Sequence, residues 1–375
     1  MKYDLAEIVK LFEFEGDFLE IKPYGLGHIN DTYAAYFRKA NCEAHRYILQ
    51  RVNHDVFKRP KAVMKNVEKV TAHLRKKIIA SGGDLERETL NLIPTIEGLP
   101  YSYYAIRDGD YWRGYIFIEN AQAYQVAENL THVYNAARAF GQFQKLLSDF
   151  PAKQLHETIP NFHHTRKRFE SLVEAVERDS ENRARFAREE IKFVEERADD
   201  MSILVDLIES GEMPQRVTHN DTKFNNVMID DETGAGVCVI DLDTVMPGLS
   251  LYDFGDCVRS STNPAAEDER DISKVCVDLE TYDSLARGYL DAARDFLTPI
   301  EIDYLPFSAK LMTLECGMRF LTDYLEGDIY FKTHRKSHNL DRCRTQFKMV
   351  QDMEENFDKM VGIIEKYRFT AFPEK

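Results

Sequence analysis

The chain has 375 residues, 43% of them hydrophobic and 30% charged, with a formal net charge of −15. That length allows two lobes with sizeable cores, and the composition is that of a globular protein rather than a disordered one. The acidic balance argues against a general nucleic-acid binder, whose affinity depends on clustered Lys and Arg, but it leaves room for one nucleotide at a local site.

Cys42, Cys238, Cys257, Cys276, Cys316 and Cys343 form no C-x-x-C and keep no regular spacing, so they read as thiols in a reducing compartment. The opening MKYDLAEIVKLFEFEGD lacks the charged-then-apolar order of a signal peptide, and nowhere do 18 apolar residues run together. The expected location is cytoplasmic.

Leu5, Ile8, Val9, Leu11 and Phe12 recur at helical spacing and predict a short amphipathic helix over residues 4–14. Strands are predicted at 18–21 and 32–36, with Tyr24-Gly25-Leu26-Gly27-His28-Ile29-Asn30-Asp31 between them. A glycine turn between strands lets backbone N–H groups approach phosphates, although G-x-G there is more often a plain hairpin. It is not the Walker pattern, which needs G-K-[ST] before a helix. A third strand spans 46–52, with Gln50 and Arg51 on opposite faces. A helix opened by Pro60 then covers 60–79 and carries Glu68. A short strand at 89–93 stops at Pro94. Tyr101–Ile106 and Tyr111–Ile118 flank Asp108-Gly109, a hairpin signal. After Ile118 the pattern turns helical, which divides the chain into 1–118 and 119–375.

From Asn129 to Phe150, Leu130, Val133, Ala137, Phe140, Phe143, Leu146 and Leu147 trace one helical stripe, which is core. His163 and His164 have no third ligand at metal spacing and read as surface or cleft residues. A charged helix is predicted over 184–210.

The most informative stretch is Val217–Met246, VTHNDTKFNNVMIDDETGAGVCVIDLDTVM. His219-Asn220-Asp221 is followed by Lys223 and Asn226; a glycine-containing turn and the apolar run Val237–Ile240 then deliver Asp241 and Asp243. An Asp beside an acceptor hydroxyl can take its proton, and a Lys can sit by a transferring phosphoryl charge. An Asn oxygen with a second carboxylate suits magnesium, a hard cation that takes oxygen ligands. The triplet Asp253-Phe254-Gly255 lies 32 residues past Asp221 and follows no apolar strand, so Asp253 and Asp256 are expected to brace the loop by hydrogen bonds. A long helical region covers 267–326. Near its end, in Glu315–Phe331, Arg319 and Asp323 are one turn apart and able to pair, and Gly327 is placed to end the helix. Polar and aromatic side chains at a helix end suit sugar recognition; a surface ion pair at a helix end fits the spacing equally. His334–His338 is a basic patch, read as solvated or as meeting phosphate.

The pattern H-x-D-x-K-x-x-N with a later strand-end Asp is that of the protein-kinase catalytic loop. GxGHIN at 25–30, RYILQ at 46–50, VTHNDTKFNN at 217–226, IDLDTVMPG at 240–248, YDFGD at 252–256 and ECGMRFLTDYLEGDIYF at 315–331 extend the likeness over nearly the whole chain. In this order they resemble the aminoglycoside-phosphotransferase and choline-kinase superfamily, and especially its N-acetylhexosamine 1-kinase branch. The resemblance implies an α+β, two-lobed protein-kinase-like fold, with a small β-rich nucleotide-binding N-lobe holding one helix and a large, mainly helical C-lobe. It implies transfer of the γ-phosphoryl group of ATP, with Mg2+, to the anomeric hydroxyl of GlcNAc or GalNAc. From the charge and the lack of long apolar runs neither nucleic acid nor membrane is expected as a partner, and the chain is expected to act as a monomer.

Carried over by position, Asp221 is the catalytic base and a sugar contact, with Lys223 near the γ-phosphate. Asn226 and Asp241 hold magnesium, with Asp243 a further candidate. Gly25 and Gly27 cover the phosphates, and the backbone at Phe117, Ile118 and Glu119 meets the adenine edge. Arg319, Asp328, Tyr330 and His28 contact the sugar. One departure matters. The third strand of kinase folds usually carries a Lys for the nucleotide phosphates, and here that position holds Gln50. This puts a pair with Glu68 in doubt. Two other readings compete: a choline, ethanolamine, homoserine or aminoglycoside acceptor, and a non-catalytic kinase-like scaffold.

Overall fold

In the computed structural model, which describes residues 3–25, 29–39, 44–97, 105–107 and 110–369, the β-rich first third forms one antiparallel sheet. Its strands are β1 (Asp17–Pro23), β2 (Asp31–Arg38), β3 (Ala44–Val52), β4 (Leu92–Ile93), β5 (Ala105–Arg107) and β6 (Asp110–Ile116). Their spatial order is β1-β2-β3-β6-β4, with β5 paired to β6. Residues 101–104 and Asp108-Gly109 of the predicted hairpin lie outside the described residues.

One face of the sheet buries Phe37, Tyr47, Leu49 and Trp112 against Leu5, Ile8, Val9 and Phe12. Leu5–Val9 forms helix α1, shorter than the predicted 4–14. The segment leaves the helix because Glu13 N–H donates to the Pro94 carbonyl and Phe12 bridges Thr95, so backbone pairing with the β4 strand end displaces the last helical turn. Helix α2 (Pro60–Ser81) behaves as predicted. Proline sits in its first turn, and Gly82 ends it in the left-handed region at φ +72°. Its apolar side, with Val63, Met64, Val67, Val70 and Leu74, belongs to a core that continues through Phe140, Val227 and Leu242. Thus α2 packs as part of both lobes.

The helical lobe contains β7 (Ala121–Gln122), α3 (Leu130–Leu146), α4 (Thr165–Arg178), α5 (Arg188–Glu195) and α6 (Asp200–Glu209). It continues with β8 (Arg216–Thr218), β9 (Val227–Asp230), β10 (Gly236–Val239), β11 (Met246–Gly248) and α7 (Ser250–Ser261). It closes with α8 (Leu279–Ala293), α9 (Pro299–Asp303), α10 (Leu305–Glu326), α11 (His338–Glu355) and α12 (Phe357–Arg368). The fold is therefore α+β and kinase-like, with a small sheet lobe and a helical lobe.

The charged stretch 184–210 is two helices rather than one. Arg197 turns back to donate from Nη1 to the Phe193 carbonyl and forks onto Glu354, capping α5 before α6 begins. The region 267–326 is not one helical run either: α7 ends at Ser261, before it, and α-helix resumes only at Leu279, with further breaks before Pro299 and Leu305. Among the described residues no helix is long and apolar enough to cross a membrane. Cys238, Cys257 and Cys343 are buried free thiols; Cys276 and Cys316 are half-buried.

Candidate active site

The candidate catalytic loop joins β8 to β9, and its shape is set largely by main-chain donors finding carboxylates. Asp253, on α7, accepts from the N–H of His219 at 2.9 Å and of Asn220 at 2.8 Å, and from the Gln144 side chain at 2.6 Å. Asp256, one turn on, accepts from the Thr222 N–H at 2.8 Å and is held by Arg259 Nε at 2.8 Å. The expectation that these two carboxylates brace the loop matches this geometry. Asn220 sits at φ +65°, in the left-handed region that Asn tolerates better than most residues. His219 is buried. Its Nε2 bonds the Ile240 carbonyl at 2.8 Å, tying the loop to the end of β10.

Asp221 emerges from this frame partly exposed. Lys223 Nζ meets its Oδ1 at 2.8 Å, and Asn226 Nδ2 reaches its carbonyl at 2.8 Å and its Oδ2 at 3.3 Å. Burial pushes the Asp221 carboxyl up, but Lys223 more than offsets this and leaves it below the usual carboxylate range. The same partner raises Lys223. The Asn226 carbonyl accepts the Ile240 N–H at 2.9 Å, which brings Asn226 alongside Asp241. Asp241 lies at φ +58°, and burial together with the Asp243 and Asp221 charges pushes its carboxyl up to about 6. The Asp221 and Asp243 charges thus act on Asp241, and a cation beside Asp241 and Asp221 would relieve that repulsion. Among the described residues no group of three or more His, Cys, Asp or Glu side chains is arranged to hold a metal by itself.

Asp243 has other partners. Both its oxygens are taken by the buried Arg113 guanidinium, and Oδ2 also accepts from Asn30 Nδ2 at 2.7 Å. This bond ties Asn30, just before β2, to the Asp243 carboxylate. Gly25 is at φ +77°, while Gly27 and His28 lie outside the described residues. On the strand side, Phe117 and Ile118 are buried. The Phe117 ring packs against Tyr24 and under the Arg46 guanidinium, which also pairs with Glu119. Arg87 donates to the Glu119 and Asn120 carbonyls at 3.2 and 3.0 Å. Glu68 is not the partner of the buried guanidinium; burial alone raises its carboxyl against two nearby lysines.

At the other end, Arg319 stacks against Phe162, Tyr330 and Phe331, with centroids 5.0, 5.9 and 5.6 Å away. Tyr330 is largely exposed. The spacing-based pairing of Arg319 with Asp323 does not occur. Asp323 instead accepts the N–H groups of Ile329, Tyr330 and Phe331 and the Asn339 side chain, capping the chain that leaves α10 past Gly327. Asp328 is engaged by Arg183 at 2.6 Å and Asn339 at 2.9 Å.

His163 is not a surface residue. It is buried, with Nδ1 3.0 Å from Glu315 and Nε2 3.2 Å from the Asn220 carbonyl, so it links α10 to the catalytic loop. Burial raises the Glu315 carboxyl, and His163, Arg319 and Arg168 more than offset it. No local signal in the sequence could have found this pair, because its partners are 152 residues apart. His164 caps α4. In the basic patch His334 and Lys336 are exposed, as a solvated patch should be, while Arg335 and His338 both meet Asp268.

Solved structures similar to this chain include a microcompartment-associated aminopropanol kinase, with 13% identity, TM-score 0.55, and 95% of this chain and 97% of that one covered. A choline kinase from Cryptosporidium parvum Iowa II shows 15% identity and TM-score 0.56 over 94% and 93% of the two chains. The amicoumacin kinase hAmiN, in complex with AMP-PNP, Ca2+ and Ami, shows 11% identity and TM-score 0.55 over 94% of each. The profile of the APH family, described as the phosphotransferase enzyme family, matches residues 20–292. The chain belongs to that phosphotransferase family.

Proposed function

We propose that this phosphotransferase moves the γ-phosphoryl group of ATP to the anomeric C1 hydroxyl of an N-acetylhexosamine, GlcNAc or GalNAc, to give the sugar 1-phosphate. The carrying observation is the group Asp221, Lys223 and Asn226 held opposite Asp241 by the braced loop. Asp221 accepts the hydroxyl proton; its lowered pKa suffices because an anomeric hydroxyl is more acidic than an ordinary alcohol. Lys223, fixed by Asp221, lies where charge develops on the transferring phosphoryl group. The amide of Asn226 spends its nitrogen on Asp221 and so offers its oxygen outward, and Asp241 offers its carboxylate beside it. This donor set suits Mg2+, which is usually held by one or two carboxylates together with substrate phosphates. When bound, the metal supplies charge neutralisation at the phosphate oxygens. The AMP-PNP and Ca2+ in the amicoumacin kinase complex support nucleotide and divalent-metal use here.

Gly25 and Gly27 are assigned to the phosphates and the backbone at Phe117, Ile118 and Glu119 to the adenine. We place the lobe boundary at residue 118 and read the protein as a cytoplasmic monomer. Arg319 and Tyr330, with Asp328 and His28, are assigned to the sugar. Asp243 is assigned to holding the metal-binding turn rather than to the metal, since its oxygens are already paired. The arginines also bear on the acceptor. Arg319 already occupies the faces of Phe162, Tyr330 and Phe331, and the half-buried Arg168 feels its charge. A cationic acceptor such as choline would meet guanidinium where it needs an open aromatic face, whereas a neutral polyol would find donors.

The test is the rate of ADP release with MgATP and each of GlcNAc, GalNAc, choline, aminopropanol, homoserine and kanamycin. Turnover with the N-acetylhexosamines alone is expected. Turnover with an amine-bearing acceptor and none with the sugars would overturn the acceptor assignment.

A further inference from the structure

Arg113 is a cation sealed from solvent beside the candidate metal-binding turn. It stands on β6 directly opposite Gln50 of β3 in the strand register, and is 1% exposed. Its Nη1 meets Asp243 Oδ1 at 2.5 Å and its Nη2 meets Oδ2 at 3.0 Å, the two-pronged contact that a guanidinium makes and an ammonium cannot. Gln50 Oε1 receives Arg113 Nε at 2.8 Å and Nη2 at 2.5 Å, while its Nε2 is anchored on Thr32 Oγ1 at 2.8 Å. Gln50 therefore aims the guanidinium. Asn30 completes the carboxylate's shell, and its own Oδ1 is fixed by the Asn53 N–H at 2.9 Å.

These contacts tie Asn30, β3 and β6 to one carboxylate two residues past Asp241. Asp241 itself has a backbone at φ +58°, in the left-handed region that Asp adopts more readily than most residues. A second constraint comes from α2, where Asn66 Nδ2 donates to the Val245 carbonyl at 2.9 Å. The turn Asp241–Val245 is thus clamped from the sheet side by Arg113 and from the helix side by Asn66.

We propose that Arg113 is the positioning residue for the metal-binding turn. It provides from β6 the cation that kinase folds carry on the third strand, and it acts through Asp243 to hold the Asp241 carboxylate towards nucleotide-bound metal. The departure at Gln50 is then a relocation of charge by one strand rather than a loss of function. This rests on the metal–nucleotide reading above.

The experiment is calorimetric titration with MgATP at several free Mg2+ concentrations, without acceptor, alongside thermal unfolding. It compares wild type, Arg113→Lys, Arg113→Met and the double variant Arg113→Met/Gln50→Lys. Removing a group that orients a metal ligand typically weakens metal affinity roughly 10–100-fold. A loss in that range is expected for Arg113→Met, with a higher Mg2+ requirement. Arg113→Lys should fall between it and wild type, because one ammonium cannot hold both oxygens. The double variant returns the cation to β3 and should recover most of the loss. If Arg113→Met does not fold, Arg113→Lys carries the test. Wild-type MgATP affinity and Mg2+ dependence in a folded Arg113→Lys or Arg113→Met variant, whatever the melting temperature, would overturn the proposal. So would a double variant that folds without recovery. Absence of MgATP binding by wild type would instead overturn the functional reading on which the proposal depends.

Discussion

Asp221→Asn is expected to lower turnover by about two to four orders of magnitude, the usual contribution of a positioned general base. The substitution keeps the shape of the side chain and removes its negative charge. Lys223 then loses the carboxylate 2.8 Å away, and the acceptor hydroxyl loses the group that takes its proton. Stability should change little. Asp221 and Lys223 are 23% and 45% exposed, so water can solvate a released ammonium, and the loop stays held by Asp253 and Asp256. The check is steady-state turnover beside a thermal melt. Activity within threefold of wild type in a folded Asp221→Asn protein would contradict the assignment.

Asp241→Asn should abolish metal-dependent turnover while leaving the metal-free protein as stable as wild type or more so. Asparagine accepts the left-handed backbone at this position at least as readily as aspartate. It also removes one of the three carboxylates that repel each other. The sign follows from the raised carboxyl, pushed to about 6 by burial and by Asp243 and Asp221. A carboxyl raised in the folded state binds its proton more tightly there than in the unfolded chain. Its ionisation therefore weakens the fold as pH climbs from the ordinary carboxyl range through about 6. Metal-free Asp241→Asn should accordingly melt above wild type at pH 8, with the gap closing near pH 5. A variant that melts well below wild type at pH 8, or that keeps its turnover, would contradict this account of Asp241.

The loop geometry was legible in the sequence because Asp221, Lys223, Asn226 and Asp241 are tied to one another by fixed local spacing. The same holds for Asp253 and Asp256, whose exclusion from the metal site followed from what precedes them. Gly327 and Pro60 announced helix ends through backbone geometry alone. What was hidden depends on chain segments far apart. Arg113 meets Asp243 across 130 residues, through a strand register that composition does not specify. His163 meets Glu315 only because α10 crosses the loop before α4. The i, i+4 spacing of Arg319 and Asp323 permitted a pair, but three unbonded N–H groups beyond Gly327 claimed the carboxylate first. Likewise, the continuous charge pattern over 184–210 gave no sign that Arg197 would fold back to cap α5.

The most direct test of the functional reading is where the phosphate goes. Phosphorus and proton NMR of the product from MgATP and GlcNAc should show a phosphorus nucleus coupled to the anomeric proton, with ADP formed in equal amount. Phosphate on another hydroxyl of the sugar, or ATP left intact while the protein binds both substrates, would contradict a sugar 1-kinase.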